Sequence, residues 1–287
     1  MNAPLTADPL QSTPHPAPWL ARLALGVERR GARSVLVRRA HCGPLRLQKA
    51  LYPEGDAVCH AIVLHPPAGI AGGDALTIEA DIGPAAHALI TTPGAGKWYR
   101  SDGATAALTQ TLRVAAGGIC EWLPQENIVF DRARARLDTR VELAADARYI
   151  GMEMTAFGRH GGGERFTAGH YAQSTRIRVA GRTVWREQGR IDGGGTLLHA
   201  PAGLAGQPVS GTLLALGPGL DAALVAACRA LRPRRGDGAL SLLPDLLVAR
   251  YLGDSVEAGR AWFEHLWSVL RPALAGRPAQ RPRIWNT

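Results

Sequence analysis

The chain has 287 residues, with Lys+Arg 33 against Asp+Glu 24, a formal net charge of +9. Hydrophobic residues make up 46% and charged residues 20%, which excludes a disordered polyelectrolyte and suffices for a large core without disulfide staples. Gly 34 and Pro 20 argue against a helical bundle, because so many breakers favour short elements joined by turns.

Residues 1–18 contain Pro4, Pro9, Pro14, Pro16 and Pro18 and few apolar side chains, so a mobile arm is expected there. No basic stretch followed by an apolar run opens the chain, and no apolar run of 18 residues follows. The expectation is a cytoplasmic protein with reduced thiols. Residues 19–287 read as a single β-rich domain. Leu23, Leu25 and Val27 alternate with other residues, and so do Leu76, Ile78, Ala80 and Ile82. Ala106, Leu108, Gln110, Leu112 and Val114 repeat the pattern, as do Ala135, Leu137, Thr139, Val141 and Leu143. Period-two alternation places one face of a strand in a core. The fold class predicted is mainly β, a β-helix-like or sandwich-like multi-stranded domain with two α-helices. No internal repeat of fixed period is visible.

The two helices are expected near 220–232 and 255–270. In the first, Leu220, Leu224, Cys228 and Leu231 share a face and Pro233 ends it. In the second, Asp254 and Glu257 have capping-box spacing, Trp262 and Trp267 widen an apolar stripe, and Pro272 stops it. That stripe either packs on a sheet or offers its tryptophans to a partner. Ile284 and Trp285 suggest that the basic, proline-rich end docks.

Several familiar chemistries are missing. Pro93-Gly94-Ala95-Gly96-Lys97 resembles a P-loop only in part, since Thr91 replaces the first glycine and Trp98 the magnesium-binding hydroxyl. No two of Cys42, Cys59, Cys120 and Cys228 form a C-x-x-C pair. Cys59, His60 and His65 gather on one stretch, either as a transient metal site or as a core cysteine and a hydrogen-bonded histidine.

Four segments carry a more specific signal: His65-Pro66-Pro67-Ala68-Gly69-Ile70-Ala71-Gly72-Gly73-Asp74; Thr91 to Ser101; Glu121 to Phe130; and Gly158-Arg159 with Gly163-Glu164-Arg165-Phe166. In this order and spacing, with Pro282-Arg283-Ile284-Trp285 at the end, they resemble the UreD (UreH) urease accessory protein family. The resemblance implies a predominantly β, helix-like fold with two α-helices. It further implies a noncatalytic role in urease maturation. Such proteins bind apo-urease and recruit UreF, which docks the GTPase UreG, and nickel carried by UreG passes to urease as cargo.

A nickel path favours oxygen ligands, because thiolates and multiple imidazoles hold late divalent ions too tightly for release. Asp74, Glu121, Glu126, Asp131, Glu153 and Glu164 lie in or near the motifs and are the candidates, with His65 or Cys59 at an entrance. They are expected to converge on a polar passage through the β structure. The competing reading makes them salt-bridge or turn-capping groups, with Arg100, Arg132 and Arg159 as partners. Gly72 and Gly73 suit a tight turn that Asp74 caps. Lys97, Tyr99 and Arg100 could clamp Glu121 or Glu126 across a sheet. The net charge also leaves an alternative, a basic nucleic-acid-binding β protein, although its arginines are dispersed. A third reading, an enzyme using Glu121 and Glu164 as acid and base, rests on residue type alone.

Overall fold

A computed structural model describes residues 18–286 of the chain, so the arm expected over 1–18 lies outside the described residues apart from Pro18. Strands β1 (Leu20–Arg30) and β2 (Arg33–Cys42) form an antiparallel hairpin, followed by the short β3 (Arg46–Leu47). The chain then winds in coils. The first contains β4 (Cys59–Leu64), β5 (Gly69–Ile70) and β6 (Ala75–Ile82). The second contains β7 (His87–Thr91), β8 (Gly96–Trp98) and β9 (Ala106–Val114). The third contains β10 (Ile119–Trp122), β11 (Asn127–Val129) and β12 (Arg134–Leu143). The fourth runs from β13 (Arg148–Phe157) to β14 (His170–Val179), and β15 (Arg182–Asp192) folds back on it.

Each strand pairs in parallel with its counterpart one coil on. Cys59 lies beside Ala88, Ala88 beside Cys120, and Cys120 beside Tyr149. The stack is therefore a β-solenoid, the β-helix-like branch of the expected fold class. Positions 59, 88, 120 and 149 are unequally spaced, which is why no fixed period shows in the sequence. One side of the solenoid is a seven-stranded sheet in the order β15-β14-β12-β9-β6-β1-β2. The second sheet holds β13-β10-β7-β4-β3, and β5, β8 and β11 line up as a narrow third face.

After the one-turn helix α1 (Thr196–His199), β16 (Val209–Leu216) adds antiparallel to β13. Helix α2 (Ala222–Ala230), strands β17 (Asp237–Leu243) and β18 (Leu246–Gly253), and helix α3 (Val256–Ala275) complete the chain. Two apolar layers result. Between the sheets lie the residues of the alternating patterns, among them Leu25, Ile78, Leu112 and Val141, all buried. Between the second sheet and α2–α3 lie Leu89, Ile150, Phe263, Leu266 and Leu270. Strands β4, β7 and β10 are thus buried on both sides and show no alternation, with His87 and Glu121 set among apolar neighbours.

The helices depart from expectation in detail. Ser255, not Asp254, caps α3: its hydroxyl accepts the Ala258 N–H at 3.1 Å. Pro272 does not stop α3, which continues to Ala275 and ends at Gly276 with φ 65. In the last turn a missing N–H removes one helical bond without breaking the helix. Helix α2 starts one residue after Asp221, whose carboxylate accepts the Leu224 N–H at 2.8 Å. The third helix, α1, was not expected. Trp262 and Trp267 are buried against the sheet, which settles the two outcomes left open for that stripe in favour of packing. No helix among the described residues is long and apolar enough to cross a membrane.

Candidate functional site

The four motif segments lie in four successive coils, and coil stacking brings them side by side along the third face. Tyr99 donates its N–H to Ile70 at 3.0 Å, Phe130 to Trp98 at 3.0 Å, and Gly158 to Val129 at 2.7 Å. The Tyr99 ring meets Phe130 edge-on at 5.2 Å, and the Arg159 guanidinium lies 4.8 Å over Phe130. A side chain at Gly69 would collide with the Tyr99 ring, and one at Gly72 with Ser101, while Gly73 takes φ +92. The glycines are there because coils one and two approach so closely.

Asp74 caps its turn as expected, accepting the Ala71 N–H at 3.0 Å and also the Trp19 N–H at 2.9 Å. His65 is half-buried beside it with Nε2 unpartnered; burial lowers its pKa and the Asp74 charge opposes this. Asp131 accepts the N–H groups of Thr167 at 2.6 Å and Ala168 at 3.0 Å. Burial favours its neutral acid, but those bonds outweigh it and hold the carboxyl below its usual value. Glu164 bonds the Asp131 N–H and pairs with Arg159 at 2.6 Å, one of the partnerships the sequence suggested.

The remaining candidates are elsewhere. Cys59 is fully buried between the sheets, and burial pushes its thiol pKa up, so it is a core side chain. Glu126 is half-buried in the field of Arg260 of α3. Lys97 and Arg100 do not clamp Glu121 or Glu126: Glu121 points through the second sheet toward α3, away from the motif face. Its Oε2 accepts Trp267 Nε1 at 2.6 Å and Arg271 Nε at 2.9 Å, and its Oε1 lies 2.6 Å from His87 Nε2. Arg271, itself fully buried, forks onto Glu54 at 2.6 and 2.8 Å, and Glu54 lies 2.6 Å from His60. Burial favours the neutral form of Glu121, yet His87 and Arg271 outweigh it and bring its pKa down to about 2. Sequence reasoning missed Arg271, Glu54 and His87; the available signal was an arginine on the buried stripe of α3.

Glu153 has a third environment, inside the solenoid between the sheets. Gln110, Thr139 and Thr175 stand side by side on β9, β12 and β14, facing inward and buried. Thr139 donates to Glu153 at 2.6 Å, and Gln173 donates to its other oxygen. A cavity of about 10 Å³, roughly one water in size, opens here between Thr139, Tyr149, Glu153, Gln173 and Thr212. Burial raises the Glu153 pKa, and the bonds from Thr139 and Gln173 offset this only in part. Of the six candidates only Asp131 and Glu164 are neighbours, and through the Asp131 backbone N–H rather than carboxylate to carboxylate. Among the described residues no three His, Cys, Asp or Glu side chains group to hold a metal ion.

Fold and site together define a β-solenoid with a motif-built face and a polar pocket within its apolar interior. Residues 20–286 match the family model described as UreD urease accessory protein. The chain is 61% identical over 269 residues to a urease accessory protein UreD of Azoarcus sp. (strain BH72), with 94% of each chain covered. It is 53% identical over 285 residues to that of Dechloromonas aromatica (strain RCB), covering 97% of this chain and 98% of the relative. The chain belongs to the UreD urease accessory protein family, an accessory rather than a catalytic family, which implies a role in urease maturation.

Proposed function

We propose that the protein is a cytoplasmic, noncatalytic scaffold and metallochaperone that acts with UreF, and through it the GTPase UreG, to pass nickel into apo-urease. The observation that carries this reading is the polar interior around Glu153. Buried polar groups cost stability unless they are bonded, and an apolar solenoid core would fold without them. Here two carboxyls (Glu153 and Glu187, the latter paired with Arg250 at 2.6 Å), two amides and three threonine hydroxyls occupy the space between the sheets. Their donor set is oxygen-rich, which suits brief residence of a divalent cation rather than capture. A raised carboxyl pKa also suits exchange: the group gives up its proton as the cation arrives and regains it when the cation leaves. Asp74, Asp131 and Glu164, spread along the motif face, provide further oxygen sites in this reading.

Glu153→Gln tests it, since the amide keeps the shape and removes the charge; its oxygen still accepts from Gln173, and its NH2 donates to the Thr139 hydroxyl, which turns to Gln110 Oε1. The variant should still assemble with UreF and apo-urease, and metal analysis of the matured urease should show reduced nickel. Normal nickel content in urease matured by this variant would remove Glu153 from the path.

A further inference from the structure

The outward face of the seven-stranded sheet carries two different charge arrangements. Across β2, β1, β6 and β9, arginines are matched: Arg22 pairs with Glu79, Arg38 with Asp81, and Arg113 with Asp81 at 3.1 Å. Across β12, β14 and β15, Arg136 pairs with Asp138, Arg178 with Glu142 and Arg190 with Asp192, but one row is poorly matched. Arg140 lies directly beside Arg176, and Arg176 directly beside Arg186, in one row across three strands. Neighbouring strands are about 4.8 Å apart, so three guanidinium stems rise from a line about 10 Å long. All three side chains are exposed. Arg140 has no ion-pair or hydrogen-bond partner among the described residues. The bridge of Arg176 to Glu142 is long, at 3.9 Å, and Arg186 reaches only the amide of Gln188, at 3.3 Å.

Like charges directly opposite one another destabilise a sheet. This row is therefore unfavourable in the isolated protein and becomes favourable only when a counter-charge covers it. Parallel sheets are usually covered on both faces. Here α2 and α3 pack on the second sheet and the alternate residues of β12 stay exposed, so among the described residues no layer covers the arginine face.

We infer that Arg140, Arg176 and Arg186 form a docking row for an acidic surface of a folded protein partner. Guanidinium forks recognise carboxylates in two-point contacts, and a row on rigid strands presents them at fixed spacing. Nucleic acid fits less well. Asp138 and Glu142 stand among the arginines at 22% and 34% side-chain exposure and would repel a phosphate backbone. Among the described residues, no outward position of these three strands offers a Phe, Tyr or Trp for base stacking.

This inference rests on the proposed function for the choice of partners to be tested, purified apo-urease and UreF from the same source. The perturbation is a triple variant, Arg140→Thr, Arg176→Thr and Arg186→Thr, because threonine suits an outward strand position and already occupies 109 and 111 on the same face. Binding to each immobilised partner is measured at about 0.05 and 0.3 M salt, with duplex DNA as a third surface. Wild-type protein should bind at least one partner, more weakly at higher salt. The variant should bind that partner about tenfold or more weakly, with a smaller salt dependence. Its melting temperature should be equal or higher, since the repulsion is gone. If wild type binds and the variant binds equally at both salts, the docking row is wrong and the functional reading stands. If wild type binds neither partner, the functional reading fails and the row falls with it. If the variant keeps both proteins but loses DNA, the occupant is nucleic acid and the inference is overturned.

Discussion

Glu121→Gln isolates the value of the buried charge network between the second sheet and α3. Glu121 has no exposed surface and receives Arg271 and Trp267, with His87 at 2.6 Å. An amide at this position loses the counter-charge. It also turns its NH2 toward either the Trp267 N–H or the guanidinium, so donor meets donor. Arg271 keeps Glu54 but loses half of its compensation while staying fully buried. A carboxyl brought to about 2 from 4.5 favours the ionised folded form by about 3 kcal/mol. Removing one partner from a buried pair costs about 3–5 kcal/mol in general, which agrees. Urea unfolding near pH 7 should then show a midpoint lower by about 1 M, for a slope of about 3 kcal/mol per molar. The pH dependence has a definite sign. A depressed carboxyl pKa contributes stability above the unfolded value of 4.5, and this is lost as pH falls toward 2. The gap between wild type and Glu121→Gln should therefore narrow over that window. A difference below about 1 kcal/mol at neutral pH, or one unchanged at about pH 3, would refute the reasoning.

Glu153→Gln should have the opposite effect on stability: a raised carboxyl pKa is a contribution lost as pH rises, so the variant should melt higher than wild type at neutral pH and converge with it in acid, followed by circular dichroism. Gly69→Ala should destabilise by about 1–3 kcal/mol in the same melts, because its methyl meets the Tyr99 ring, whereas Gly161→Ala, with open space around it, should change little. Of the four thiols only Cys42 is exposed, and burial raises the pKa of the other three, so a thiol reagent should label one cysteine in native protein and all four in urea.

What the sequence disclosed depended on how many faces of an element are buried. Strands β6, β9 and β12 have one buried face, and their alternation was legible residue by residue. Strand β7 is buried throughout, and β5 and β8 span two and three residues, too short for any period. The motif glycines announced close approach but not what approached; Tyr99 and Ser101 belong to the next coil. Arg159 and Glu164, five residues apart in one loop, could be paired by inspection. Glu121 and Arg271 could not, because their contact spans 150 residues and depends on where α3 lands. The carboxylates were legible as a set of residue types, but strand direction divides them: Glu121 faces α3, Glu153 faces the interior, and Asp131 and Glu164 face the loop corner.

The return of the C-terminal segment across the earlier coils has a consequence for synthesis on the ribosome. Arg271 supplies the cation for Glu54 and Glu121, Gln280 donates to the Pro53 carbonyl, and Trp285 Nε1 reaches back to Thr91 at 2.7 Å. Successive coils contact their immediate neighbours and can assemble as the chain emerges, one layer on the last. The outer side of the second sheet cannot close that way. Until α3 and the segment after it leave the exit tunnel, two carboxylates destined for the interior have no arginine, and Phe263, Leu266 and Leu270 are missing from the layer that covers Leu89 and Ile150. Closure of the smaller of the two apolar layers is thus withheld until the final residues are made, and the nascent chain spends most of its synthesis with that sheet face open to whatever binds incomplete proteins.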